Sequence, residues 1–299
     1  MKELVDSASL VGDPESLRAR LGVYGYLFFR GLLPTGPVTE AGAAVGAALA
    51  AGGWTHGSGL PSSPPRALNT ADAVRDPAFR AATASRPFNR IPYLPMLRGL
   101  VRGLLGADAF SYPVKVLRAV YPEAGSGIPR GRYVHQDFPG AGVCDLLTTW
   151  VPLMPIPVRL GGLAVLPGSN LRAPERVRLL GTEEPGWATT DYGVGDVLLF
   201  HCLTSHAALP NRSTVLRLSQ DSRWQPGGQP APARMVYGPA GRDWELYSRL
   251  LRSEPWWEPV PSTLVVADDG QLPPGAPWSR FFAVHPGWAN WTPRVQPAR

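Results

Sequence analysis

Five histidines occur in the 299 residues: His56, His135, His201, His206 and His285. The triplet His135-Gln136-Asp137 lies in a segment that reads as a strand. Residues two apart on a strand project to one face, so an imidazole and a carboxylate point the same way. His206 follows a later strand and offers a second imidazole. Two histidines and one carboxylate leave coordination positions open, the ligand set of non-haem Fe(II) oxygenases. His201 is the competing second histidine, five residues earlier. Arg217 comes eleven residues after His206, with Ser219 on the same strand face. A guanidinium forks onto a carboxylate through two parallel hydrogen bonds, and Ser219 would add a hydroxyl. That pairing suits 2-oxoglutarate, whose keto-acid end chelates iron and whose far carboxylate needs a cation. Arg223 shares the parity of Arg217 and competes for that role.

These residues need rigid elements. Asp13-Pro14 starts a helix to residue 22, and Tyr24–Phe29 reads as a strand. Pro37–Ala51, Asp76–Ala84 and Pro92–Leu105 read as helices, the last with a 3.6-period apolar face. The Gly/Ser/Pro segment 52–68 is a long loop that includes His56. After Gly106 the texture changes to short β-rich segments: Val114–Tyr121, Tyr133–Asp137, Leu146–Val151, Leu163–Leu166, Asp196–Phe200, Ala207–Leu209 and Val215–Arg223. Strands at this spacing suggest an antiparallel sandwich or small barrel. A helix returns at Gly241–Arg252, and six of the ten tryptophans follow residue 240, so the tail is expected to pack on the body. The whole reads as a single catalytic domain over 1–299: a helix-rich part (1–106), the β core (about 107–225), and a C-terminal helix with a Trp/Pro-rich tail (226–299).

Composition narrows the class. Hydrophobic residues at 44% and charged residues at 17% exclude a disordered chain. Two cysteines, Cys144 and Cys202, cannot build a disulfide framework or a Cys-rich zinc site. The first residues carry Glu3, Asp6 and Asp13 with no apolar core, unlike a secretory signal, and the uncharged stretch 41–65 is broken by Gly and Pro. A cytoplasmic protein without membrane partners is expected. The net charge of +6 comes from scattered arginines, 27 of the 29 basic residues, the other two being Lys2 and Lys115. No basic run marks a nucleic-acid face; the surplus fits anionic small molecules better.

One joint pattern is recognisable: His135-Gln136-Asp137-Phe138, the run from Asp145 to Leu153, the run from Gly161 to Ser169, Gly195–Phe200, His206, Asn211 and Arg217. It resembles the phytanoyl-CoA hydroxylase (phytanoyl-CoA dioxygenase) family of Fe(II)/2-oxoglutarate-dependent oxygenases, over roughly residues 20 to 225. The resemblance implies a double-stranded β-helix, a cupin-like jelly roll, flanked by helices. It implies that His135, Asp137 and His206 ligate Fe(II) and that Arg217 holds the distal carboxylate of 2-oxoglutarate. It places Trp150 in the cosubstrate pocket and a further cosubstrate contact on the Val114–Tyr121 strand, where Leu117 and Lys115 share parity. The chain departs from the pattern at Asn170, where relatives often have histidine, and at Ala208, where many have Ser or Thr; Ser219 is the replacement donor.

The implied reaction consumes 2-oxoglutarate and O2, releases succinate and CO2, and oxidises an unactivated C–H bond of a small molecule. Asp137 fills the position a halogenase leaves for chloride, so hydroxylation, desaturation or ring closure is favoured. A natural product is the expected substrate; an acyl-CoA ranks lower, because only Arg130 and Arg132 lie beside the triad strand. Two rival readings are a cupin-type metalloenzyme that does not use 2-oxoglutarate and a catalytically silent binding protein on the same fold.

Overall fold

The computed structural model describes residues 1–66, 76–123, 133–137, 145–172, 178–179, 185–232, 236 and 251–267. The N-terminal third is helical: α1 (Pro14–Tyr24), α2 (Thr35–Ala51), α3 (Pro77–Ala84), α4 (Arg86–Arg90) and α5 (Pro95–Leu105). Asp13 caps α1 by accepting from the backbone N–H of Ser16, with Pro14 at the first helical position. The third expected helix is split: the 3₁₀ turn Ile91–Tyr93 precedes α5, whose N-terminal residue is Pro95. Proline removes a donor and disfavours helical geometry in the residue before it, so the helix restarts there. α5 buries Leu97, Leu100, Val101 and Leu104, the apolar face visible in the sequence.

Two sheets form the core. The larger contains β2 (Tyr26–Phe29), β10 (Val197–His201), β6 (Leu147–Pro152), β12 (Arg217–Gln225) and β3 (Phe110–Ser111) in that order, and β4 (Val116–Val120) also pairs with β12. The smaller runs β1 (Lys2–Glu3), β9 (Ala188–Thr189), β7 (Leu163–Val165) and β11 (His206–Ala208). The short pairs β5 (Tyr133–Val134) with β8 (Arg178–Leu179), and β13 (Ala231–Pro232) with β14 (Val266–Ala267), complete the strands of the described residues. This is the cupin-like jelly roll. The two-residue strands at 2, 110, 178, 188, 231 and 266 were not legible in the sequence, being too short for an alternating pattern.

β6 is buried on every residue and β12 on eight of its nine, because helices cover one face and the smaller sheet the other. One hydrophobic cluster joins Leu17, Val45, Leu97 and Val101 of the helices to Phe28, Trp150 and Leu199 of the sheet. Gly25 turns α1 into β2 with a φ of 77°, and a Cβ there would lie 2.5 Å from Thr204 Oγ1. The close approach lets Gly25 O accept from the Thr204 hydroxyl and from the N–H of His201. It anchors the turn just before β11.

Of the tail, Trp256 lies against Tyr93 with ring centroids 5.5 Å apart. Glu254 pairs with Arg86, and Glu258 bridges Arg98 and Arg102. The tail therefore packs on α4 and α5 through residue 258. The expected helix 241–252 lies outside the described residues except for its last two, as do Trp244, Trp278, Trp288, Trp291, His285, Cys144, Arg130 and Arg132.

Lys115, just before β4, is buried; its ammonium donates to Tyr112 O and sits 5.2 Å from the Tyr93 ring centroid. Burial pulls its pKa from 10.5 down to about 7. Between those values the unfolded chain holds a proton that the folded chain does not, so stability rises with pH. The protein is expected to gain about 2 kcal/mol from this group between pH 7 and pH 9. Thermal melts of the parent against Lys115→Met at both pH values check this; curves that move in parallel would contradict it.

Candidate active site

β5 ends at a backbone bridge that ties the two sequence-distant histidines. His135 N–H donates to His206 O at 3.1 Å, and His206 N–H donates to His135 O at 3.0 Å. Their rings lie side by side, 4.1 Å between centroids, with Phe200 4.4 Å from the His206 ring. Asp137 lies beyond the bridge in a bend, where the strand alternation read from sequence no longer applies. Gln136 anchors that bend by donating to Leu203 O at 2.6 Å. One ligand atom each from His135, Asp137 and His206 falls within 4.8 Å of the others. His201 sits at the end of β10, and its Nδ1 accepts from the N–H of Leu203.

The donor chemistry of this group suits a divalent metal. Nδ1 of His135 lies 3.1 Å from Tyr133 O, and Nδ1 of His206 lies 3.0 Å from Thr204 O. A carbonyl only accepts, so each Nδ1 carries a hydrogen, which leaves Nε2 as the nitrogen that can ligate a metal. Burial pulls the His206 pKa down to about 4 against the opposing pull of Asp137, so the imidazole is neutral at pH 7. Burial pushes the Asp137 carboxyl up, but Arg223 and His206, with hydrogen bonds from Arg223 and Thr148, outweigh it and hold the group well below the usual range. The site thus presents two imidazoles, that of His206 neutral, and one carboxylate.

Arg223 and Thr148 were not assigned to Asp137 by the sequence. Arg223 Nε and Nη2 donate to its two oxygens at 3.3 and 3.2 Å, and Thr148 Oγ1 donates to Oδ2 at 2.6 Å. Their signal lies in pairing: Arg223 is opposite Thr148 across β12 and β6. Cross-strand partners share a face, so both reach the same carboxylate.

Arg217 stands six residues earlier on β12, on that same face. The residue is 1% exposed, and its guanidinium carbon lies 5.8 Å from the Trp150 ring centroid. Nη1 donates to Ser219 Oγ at 2.6 Å, whereas the buried Nε has no hydrogen-bond partner. Burial lowers this pKa to about 10, so the group stays cationic. A buried cation with an unused donor calls for an anion. Trp150 pairs with Asp221 and packs 4.6 Å from Tyr192. Leu117 borders the cavity, but its register partner is Gln220, whose amide donates to Phe88 O in the helical layer. The β4 residue opposite Ser219 is Arg118. A cavity of about 380 Å³ joins His135, His206, Trp150, Arg217 and Asp221, a size suited to small molecules.

A jelly roll carrying such a site belongs to the class of non-haem iron, 2-oxoglutarate-dependent oxygenases. The phytanoyl-CoA dioxygenase (PhyH) family model matches residues 23–219, and the chain belongs to that family. It is a dioxygenase that uses Fe(II), 2-oxoglutarate and O2. Among curated relatives, 1-deoxypentalenic acid 11-beta-hydroxylase of Streptomyces exfoliatus is 27% identical over 253 residues, covering 76% of this chain and 86% of the relative. Among solved structures, EctD from S. alaskensis with bound Fe shares 20% identity and a TM-score of 0.52, over 89% of this chain and 90% of that one. The non-heme monooxygenase ThoJ, as its Ni complex, shares 19% identity and a TM-score of 0.51, over 72% and 82%. No helix of the described residues is long and apolar enough to cross a membrane.

Proposed function

We propose that His135, Asp137 and His206 hold the catalytic Fe(II), and that Arg217, assisted by Ser219 and walled by Trp150, holds the far carboxylate of 2-oxoglutarate. The observation that carries this reading is the convergence of three donor atoms within 4.8 Å, both imidazoles oriented by backbone carbonyls. Bound there, Fe(II) with 2-oxoglutarate and O2 supplies the oxidant that replaces a substrate C–H by C–OH, with succinate and CO2 as the other products. The chain's own part is positioning and exclusion of water. Thr148 and Arg223 orient the Asp137 carboxylate, Arg217 fixes the cosubstrate's far end with Trp150 beside it, and Phe200 shields the metal end by packing on the His206 ring. The substrate is a small natural product, as it is for the Streptomyces relatives named for 1-deoxypentalenic acid. Residues 1–299 act as one catalytic domain. The cytoplasm, which is reducing and supplies 2-oxoglutarate, is its compartment.

The test is anaerobic addition of 2-oxoglutarate to protein loaded with Fe(II). A metal-to-ligand charge-transfer band is expected; protein that binds iron but develops no band with 2-oxoglutarate would favour a metalloenzyme of another type.

Arg223 yields a separate prediction. Arg223→Ala leaves Asp137 a buried carboxylate without its cation, a loss of about 3–5 kcal/mol in the metal-free protein. Co(II) supplies a replacement positive charge. The melting temperature of Arg223→Ala is therefore expected to fall sharply without metal and to recover more on adding Co(II) than the parent's rises. Equal Co(II) shifts for both proteins would refute the pairing.

A further inference from the structure

We propose that Arg118 is the substrate-recognition residue of this oxygenase, and that it takes the carboxylate of an otherwise apolar small molecule. The inference rests on the reading above, in which iron occupies the triad and 2-oxoglutarate occupies Arg217.

Arg217, Ser219, Asp221 and Arg223 alternate along β12 and share the face that reaches Asp137. Antiparallel partners share a face, so Arg118, opposite Ser219, joins that stripe from β4. Its Nε donates to Asp221 Oδ2 at 2.7 Å. Among the described residues nothing else accepts from Arg118, so Nη1 and Nη2 form an unused edge. Its side chain is 43% exposed, against 14% for Arg223, and Arg217 is fully buried. The carboxylate of Asp221 thus orients a guanidinium whose free edge matches a planar carboxylate, and it lines the cavity beside both histidines.

Charge supports the same assignment. Among the described residues, three guanidiniums, Arg118, Arg217 and Arg223, face two carboxylates, Asp137 and Asp221, which leaves one positive charge. Fe(II) and the dianion of 2-oxoglutarate cancel each other. The described residues of the loaded site therefore keep one positive charge for a monoanionic substrate, and Arg118 is the exposed cation of the three. The cavity there is otherwise lined by aromatic rings and aliphatic side chains. Trp54 stacks on Phe79 at 5.8 Å and lies 5.9 Å from Tyr121, centroid to centroid. The indole N–H of Trp54 is already donated to Asp76 at 3.1 Å, so the wall offers ring faces to an apolar body.

The experiment is calorimetric titration of protein loaded with Ni(II) in place of iron and saturated with 2-oxoglutarate. The probes are naphthoic, adamantanecarboxylic and decanoic acids, each beside its methyl ester. The parent is expected to bind at least one acid about 30-fold or more tightly than its ester, the scale of a lost charge-assisted fork. Arg118→Gln should bind that acid and its ester alike, and Arg118→Lys should recover part of the preference. Melting curves establish that both variants fold. A parent that prefers no acid over its ester, or an Arg118→Gln protein that keeps the preference, overturns the proposal. In a second titration, of 2-oxoglutarate into Ni(II)-loaded Arg118→Gln, affinity should match the parent's; a large loss would make Arg118 a cosubstrate contact instead. Failure of the underlying reading looks different, because the parent itself would then bind no 2-oxoglutarate.

Discussion

His135→Ala, Asp137→Ala and His206→Ala are each expected to abolish 2-oxoglutarate turnover, by about a thousand-fold or more. Each removes one of three donors from a group whose atoms lie within 4.8 Å, and two ligands hold a divalent ion too weakly to keep an open face. His135→Ala is the cleanest test of the three, because its bridge to His206 is made by backbone atoms and survives the substitution. His206→Ala also removes ring contacts to His135 and Phe200, and Asp137→Ala leaves Arg223 without its buried partner. For those two, the metal-free melting temperature separates loss of fold from loss of metal. Asp137→Gly is the informative companion: it too should lose hydroxylation, while its vacated position admits chloride at high concentration. Succinate production near the parent's rate in any of these variants would remove that residue from the ligand set.

Arg217→Ala is expected to weaken 2-oxoglutarate by about 30-fold to several thousand-fold while metal affinity stays nearly unchanged. The estimate is the loss of a charge-assisted, two-pronged contact in a dry pocket, on the order of 2–5 kcal/mol. Arg217 is suited to it because burial is complete, the charge persists, and Nε is without a partner while Nη1 holds Ser219. Arg217→Lys should recover only part, since an ammonium cannot reproduce the planar fork. Arg223 has the same strand parity, yet both of its contacting nitrogens are spent on Asp137. Its loss should register in the stability of the metal-free protein first. Anaerobic titration of 2-oxoglutarate into Fe(II)-loaded protein, followed by the charge-transfer band, separates the two. If Arg217→Ala titrates like the parent and Arg223→Ala does not, the roles are exchanged.

Much of the family and fold was legible in the order of residues along the chain. His135-x-Asp137, His206 and the eleven-residue step to Arg217 are local spacings; strand alternation puts Arg217, Ser219 and Arg223 on one face of β12, whereas Asp137 lies beyond β5 in a bend and is placed by the fold. The apolar period of α5 and the cap at Asp13 were legible for the same reason: their partners lie within a few residues. The rest depended on register between strands far apart in sequence. The backbone bridge that sets His135 beside His206 joins residues 71 positions apart, and Trp54 reaches the cavity from the loop after α2. Parity within Val114–Tyr121 drew attention to Lys115 and Leu117, but the pairing of β4 with β12 puts Leu117 opposite Gln220 and Arg118 opposite Ser219. A shift of one residue in that pairing would exchange the two faces. Parity along one strand says which residues go together. Only the hydrogen-bonded neighbour says which way they face, and that is why Arg118, Asp221 and the Arg223–Asp137 pair emerged from the tertiary structure alone.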